Sequence, residues 1–459
     1  MEKEYDVLVV GGCSAGLYFA AAMARQGYRT LLIEKDGAEA YGRRYDIFHL
    51  GKETFRRFGV EEPMPGDPDF VRTFTRIVSR SALDQYPKNA TTEVFVLHRP
   101  AYMKRLEVWA KKQGVTVEHE AKFVSPVFDG KGRLSGAEVE HAGEVSRISC
   151  RLMADASGTD SAVRTALPDG YGVENFEIGP RDKFYVVLYY AKLDNPEKDR
   201  VNETCSWPYY KTWKAPQDDP DGAILGVGAN LSYEYAKACF ERFAGRVHLP
   251  PHRVTRVEQG CTPYRRPPYS FVADGFVALG DAACLTNPWT GEGTSAAWVQ
   301  AEIAAEEAGR AMKDCAYPTR EALWQVNPRY YKAQGAEFAK NLSMLAGAVD
   351  CTPEENDYEF SKSIIFLDET EKDEGGLTGK VLKGVLTGKL RFATLLNLAG
   401  AGKTGNRIFG HYSGFPADPA GFPEWAKAAD ALWSKTRSMA DEAERDFKKM
   451  NIGEKGAAL

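Results

Sequence analysis

The sequence predicts an α/β protein in which a Rossmann-type parallel domain is interleaved with an antiparallel β-sheet domain and followed by a C-terminal helical region. Three observations predict it. An apolar strand, a glycine turn, a helix and a second strand fill Tyr5 to Glu34, roughly the 30 residues of a βαβ unit. Long aromatic runs between Asp182 and Asn230 read as extended strands. Beyond Gly293 the pattern turns helical and stays so to the end, broken by Gly and Pro.

In order along the chain, Tyr5–Val10 is an apolar β-branched run ending at Gly11 and Gly12. A helix is expected from Ala15 to Gln26, stopped by Gly27, and Thr30–Ile33 closes a second strand on Glu34. From Tyr41 to about Thr92 the pattern is irregular, rich in Arg, Pro and aromatic residues. Strand Val94–Leu97, a helix from Pro100 to Gln113 and strand Val115–Val117 follow. Arg133–Glu140 reads as a strand, and Arg147–Ala154 leads to a second small-residue turn, Asp155–Gly158. Phe184–Tyr190 and Ala223–Val227 are the long strands, and Phe276–Leu279 is a short buried one ending at Gly280 and Asp281. This reading divides the chain into a discontinuous Rossmann-type cofactor domain (1–60, 93–180 and 255–320), a substrate sheet domain (61–92 and 181–254) and a helical region (321–459).

With 459 residues the chain exceeds what one hydrophobic core usually fills. Its 43% hydrophobic and 27% charged residues are an ordinary globular mix. The formal net charge of −5 leaves no overall basic field to hold a nucleic acid. No secretory pattern and no apolar run of about 18 residues is present, so a cytoplasmic location is expected. The cysteines form no C-x-x-C pair and the histidines no ligand spacing, so no metal is expected.

Three motifs carry chemistry. In Gly11, Gly12, Cys13, Ser14, Ala15 and Gly16, the first glycine makes the tight turn and the last lets helix and strand pack closely. The helix N-terminus then aims its free N–H groups at a pyrophosphate, and Glu34, with Lys35 beside it, meets the ribose. Cys13 stands where a middle glycine is usual, which sets the loop slightly farther from the phosphates. The second motif is Asp155, Ser157 and Gly158, a turn placed beside the first. The third runs from Gly280 to Gly293. Asp281 can take ribityl hydroxyls, and Pro288, Gly291, Glu292, Gly293 and Thr294 open a helix that can stabilise charge on a reduced flavin.

These motifs, in this order and spacing, resemble the FAD-dependent oxidoreductases built like the aromatic hydroxylases. Gly-Asp-Ala-Ala-x-x-x-Asn-Pro-x-Thr-Gly-Glu-Gly at 280–293 is most similar to the geranylgeranyl reductase family. The resemblance covers Tyr5 to Gly309 and includes Arg99, where the family places a flavin-contacting arginine. It implies one FAD, a substrate sheet over the isoalloxazine and reduction of isoprenoid C=C bonds. Two departures lie in substrate-facing regions. The family's aromatic-Trp-x-Phe-Pro-Lys strand is matched only loosely by Cys205–Trp213, and the cysteine after the first Rossmann unit is missing from Tyr41–Gly51.

Trp207, Tyr209, Tyr210 and Trp213 are either sheet packing or a substrate-cavity wall, with Pro288 and Trp289 as further substrate contacts. The second carbon takes its proton from a side chain or water, with Tyr209 and Tyr210 as the candidate side chains. Cys284 reads as a small buried filler. Ala399–Thr404 lacks the leading glycine of a phosphate loop, which would fall at Asn397. The basic, apolar stretch 376–407 is a solvated helical face, a peripheral membrane contact or a cover over a lipid tunnel. The last helix, Glu424–Lys449, docks or forms a homo-oligomer.

The expected reaction is reduction of a carbon–carbon double bond of a hydrophobic, lipid-like substrate, with NAD(P)H or another reduced carrier as transient electron donor. The alternatives are a flavin monooxygenase on the same fold and a flavin-binding protein without turnover. Against the halogenase branch, a Gly-Trp-x-Trp-x-Ile-Pro run is absent.

Overall fold

The computed structural model describes residues 3–42, 46–83, 85–196, 202–207, 210–245, 249, 251–365 and 376–456. It is a mixed α/β structure built on three sheets. A six-stranded sheet holds, in spatial order, Val272–Ala273, Phe276–Ala278, Leu152–Asp155, Val7–Val10, Thr30–Ile33 and Thr116–Glu118. All neighbours are parallel except the edge hairpin at 272–278. Helices cover this sheet, so Val7–Val10, Thr30–Ile33 and Leu152–Asp155 are buried at every position. Each buried Val, Leu or Ile contributes roughly 1.5–3 kcal/mol relative to exposure.

Helices Ser14–Arg25 and Thr294–Asp314 lie side by side over it. Tyr18 stacks on Trp298 at 5.2 Å, Trp298 Nε1 donates to Ser14 O at 2.9 Å, and Tyr28 Oη donates to Gly309 O at 2.8 Å. These contacts bring both helix N-termini to the carboxyl edge of the sheet.

The largest sheet has eight strands, in the order His252–Pro263, Lys183–Leu193, Gly222–Asn230, Tyr210–Pro216, Asn202–Trp207, Phe70–Arg80, Lys88–His98 and Ile47–Gly51. Its pairs are antiparallel except where Asn202–Trp207 runs parallel to Phe70–Arg80. The stretch 41–92, irregular in the sequence, supplies two of these strands in full, part of a third, and the helix Lys52–Phe58. Register shifts at Phe70/Arg72 and Phe74/Arg76 break the period-two pattern that would have revealed them. Strands Lys88–His98 and His252–Pro263 each run through a position, 93 or 255, where the sequence suggested a change of domain. Ahead of the second turn, Glu144–Ser149 joins a four-stranded sheet and Leu152–Asp155 the parallel one.

The C-terminal region is helical. Ala336–Ala348 packs beside the large sheet through Leu342 and Leu345, which cluster with Phe184, Tyr264 and Trp289. Among the described residues no helix is long and apolar enough to cross a membrane.

Candidate functional site

The three motifs begin at the carboxyl ends of three adjacent parallel strands, since Val10 pairs with Asp155 and Asp155 with Ala278. That is where an open α/β sheet offers a crevice to a ligand. Gly11 sits at φ +105°, and a Cβ there would overlap the Ala156 carbonyl, so the first motif lies directly on the second. A Cβ at Gly16 would overlap Gly11 O, and one at Gly280 would stand 3.0 Å from the Ala15 Cβ. Ala282 O accepts from Arg164 Nε at 2.9 Å and Ser161 Oγ at 3.3 Å, tying the third motif to the second.

Cys13 is extended at φ −69°, so its position does not require glycine. Its thiol donates to Ala156 O at 3.2 Å, and burial pushes it up to about 11 while the Gly16 and Ala15 N–H groups of the helix end oppose the rise. The Asp281 and Glu34 carboxylates act on the same thiol, so these residues converge around Cys13. Glu34 accepts from Gly12 N at 2.7 Å and Asp36 N at 2.9 Å. A carboxylate has about four acceptor sites, which leaves room for a ribose diol. Lys35 reaches across to Asp160 at 3.1 Å, and Tyr41 Oη donates to Gly12 O.

Asp155 is fully buried and spends both oxygens on its own turn. Oδ1 accepts from Ser157 N and Oγ, and Oδ2 from Val163 N and Arg164 N. Burial raises its pKa, and these donors oppose the rise. Asp155 and Ser157 therefore shape the turn, while Gly158, at φ +76°, has open space beside it.

In the third motif Asn287 organises the turn, accepting from Trp289 N and Thr290 N through Oδ1 and from Gly291 N through its carbonyl. Glu292 accepts from Ser295 N at 2.8 Å. Gly293 precedes the helix that starts at Thr294 and supplies no side-chain cap, and the first turn holds no acidic residue. The helix from Ser14 likewise starts without a side-chain cap or an acid. The uncapped start of the Ser14 helix fits a diphosphate, and at the Thr294 helix the Glu292 carboxylate takes only the Ser295 N–H of the first turn. Arg99 opens its helix, and both Arg99 and Glu292 act on the buried Tyr102 hydroxyl, which places them in one neighbourhood. The residues present fit FAD.

The large sheet grips the 286–289 loop with three side chains that the sequence did not single out. Thr262 Oγ1 shares a hydrogen bond with Thr286 Oγ1, which donates to Asp281 Oδ1 at 3.3 Å. Tyr264 Oη donates to Pro288 O, and Lys211 Nζ donates to Trp289 O. Burial lowers the Lys211 ammonium to about 8. A lysine inside the aromatic strand Tyr210–Pro216 was a visible signal; Thr262 and Tyr264 had none. Trp213 shares the strand face of Lys211 and lies over Gly226, while Phe184 lies over Gly228.

Tyr210 is on the other face. It clusters with Tyr235, Cys239 and Phe243, with Arg242 at 5.5 Å from its ring. Alternation along the strand thus turns Tyr210 away from the Trp289 loop. Tyr209 lies outside the described residues, and Trp207 is described only as the end of its strand. Behind the loop, a cleft is lined by Tyr264, Cys284, Thr286, Pro288, Phe338 and Leu342. Cys284 is buried at φ +58°, and burial pushes its thiol up to about 12.

Residues 4–204 match a family model described as an FAD binding domain. The digeranylgeranylglycerophospholipid reductase of Sulfolobus acidocaldarius is 24% identical over 446 residues, 94% of this chain and 97% of that protein. A solved geranylgeranyl bacteriochlorophyll reductase-like protein from Thermoplasma acidophilum shares the fold with TM-score 0.72 and 18% identity, over 87% of this chain and 100% of that one. A myxobacterial chondrochloren halogenase, an FAD-dependent enzyme, shares it with TM-score 0.58 and 17% identity, over 86% and 97%. The FAD-binding module and the end-to-end similarity to a reductase make the chain an FAD-dependent oxidoreductase that is similar to the geranylgeranyl reductases.

Proposed function

We propose that this chain reduces a carbon–carbon double bond of a hydrophobic, isoprenoid-like substrate. The observation that carries the reading is the match, over 94% of the chain, to a protein named for that reaction on a lipid.

Reduced FAD, when bound, supplies the hydride. Gly11–Gly16, Glu34 and the Gly293–Thr294 helix end would hold it, with Asp281 and Arg99 at its edges. Phe184, Trp213 and Trp289 would exclude water and orient the alkene. Lys211 would hold, at Nζ, the proton that the second carbon needs, a role its partly buried position supports near neutral pH. It takes the place first given to Tyr210, whose ring faces the helix Tyr233–Ala244. NAD(P)H or another reduced carrier would dock transiently as electron donor.

The test is anaerobic stopped-flow absorbance of the photoreduced protein mixed with a prenyl lipid and, separately, with oxygen. Fast flavin reoxidation by the alkene is the expected result. An inert alkene, with a flavin hydroperoxide forming in the oxygen arm, would replace the reading with a monooxygenase.

A further inference from the structure

The hairpin of helices Leu377–Leu386 and Phe392–Ser413 presents apolar side chains to solvent where packing does not need them. Leu382 and Leu386 lie one turn apart, opposite the buried Val381 and Gly384, and are 49% and 78% exposed. Phe392 and Leu396 lie one turn apart opposite the buried Ile408 and Tyr412, and are 63% and 56% exposed. Other strongly exposed large apolar residues, such as Met64, Val108 and Val145, are scattered singly.

Charge follows the same contour. From 376 to 413 there are six Lys or Arg and no Asp or Glu, so the rest of the chain carries −11 of the formal −5 total. Five acidic residues between Asp368 and Glu374 precede the hairpin in the sequence. Lys383 and Lys389 flank the apolar tip, and Lys403 and Arg407 continue the exposed face of the second helix. The hairpin is held in place: Glu355 accepts from Arg391 N at 2.6 Å, Arg391 Nη2 at 2.8 Å and Thr394 Oγ1 at 2.7 Å, and Leu390 is buried.

We propose that this hairpin is a docking surface for an anionic lipid bilayer, its four apolar side chains entering the headgroup layer and its lysines facing the lipid phosphates. A second copy docking hairpin to hairpin would set like charges against each other. A nucleic acid would gain nothing from the exposed leucines. The proposal does not depend on the reaction the protein catalyses.

Vesicle flotation of the full chain tests it, with phosphatidylglycerol vesicles against phosphatidylcholine vesicles. The protein is expected to float with the anionic vesicles and not with the neutral ones. Lys383→Gln/Lys389→Gln/Lys403→Gln should weaken that binding about fivefold per lysine and roughly a hundredfold in all. Leu386→Ser/Phe392→Ser should weaken it at least about tenfold. Lys112→Gln/Lys122→Gln/Lys131→Gln, the same charge change on exposed sites elsewhere, should leave it unchanged. Unaltered circular dichroism confirms that the variants fold. Equal flotation with both vesicle types, no flotation, or equal loss in the distant variant would overturn the proposal. So would a lipid-free dimer that the hairpin substitutions dissociate in sedimentation analysis, which would make the face an interface between copies.

Discussion

The Gly11–Gly16 turn and the strand Gly222–Asn230 both depend on glycine, for opposite purposes. At Gly11 and Gly16 the missing Cβ lets backbone lie on backbone, against Ala156 O and Gly11 O. At Gly226 and Gly228 it lets a ring lie on backbone, the indole of Trp213 and the phenyl of Phe184. The first region positions a crevice with main-chain atoms and helix ends. The second positions side chains over it. Backbone has nowhere to go when a methyl is added, whereas a ring can turn, so the two regions should respond to the same substitution by different amounts.

The largest effect is expected at Gly11. Gly11→Ala combines a left-handed residue with a main-chain clash, and should cost about 3 kcal/mol or more. The purified protein should lack flavin absorbance and melt lower; a yellow protein of unchanged Tm would break the comparison.

Lys211 separates holding from chemistry. Lys211→Met should lower alkene turnover roughly a hundredfold, the lower end for a lost general acid, while flavin content is kept. Lys211→Arg keeps a donor for Trp289 O but not an acid that releases its proton at neutral pH. If the arginine variant turns over normally, the lysine only holds the loop. Wild-type turnover should fall as pH rises through about 8. Burial lowers this ammonium from its ordinary 10.5 to about 8, so between those values the unfolded chain holds more protons. Wild-type stability should therefore rise with pH across that window relative to Lys211→Met, as denaturant melts can show.

Gly228→Ala should cost about 1–3 kcal/mol, because the Phe184 ring must shift. Adding Phe184→Ala should recover part of that cost in a double-mutant cycle, with flavin retained throughout. A Gly11→Ala defect has no such single-residue remedy.

The smallest effect is expected at Cys13. Its backbone is extended and its thiol makes one hydrogen bond, so Cys13→Gly should change stability by about 1 kcal/mol and leave flavin content intact. Loss of flavin in that variant would show that the thiol shapes the phosphate loop.

The parallel sheet was legible because its strands are short unbroken apolar runs that end in glycine turns, and both features are local. Glycine at 11 and 16 announced close approaches that the structure contains, and Gly280 adds one that the sequence did not announce. The large sheet was legible only where its strands keep period two, as at Phe184–Tyr190. Phe70–Arg80 was hidden by its register shifts, and His252–Pro263 by five consecutive exposed residues, Arg253–Val257.

Sequence alone determined the dinucleotide crevice of this protein, because a φ of +105° at Gly11 and an uncapped helix start at Ser14 are properties of a few adjacent residues. It also determined that the third motif belongs with the first two, through their order along the chain. Only the tertiary structure decided which side chains face that crevice. Lys211 and Tyr210 are neighbours in the chain, and strand alternation sends one to the Trp289 loop and the other to the helix behind the sheet. Which face is which depends on what packs on either side, the helix Tyr233–Ala244 on one and the Trp289 loop, 78 residues away in sequence, on the other, and no local pattern records that.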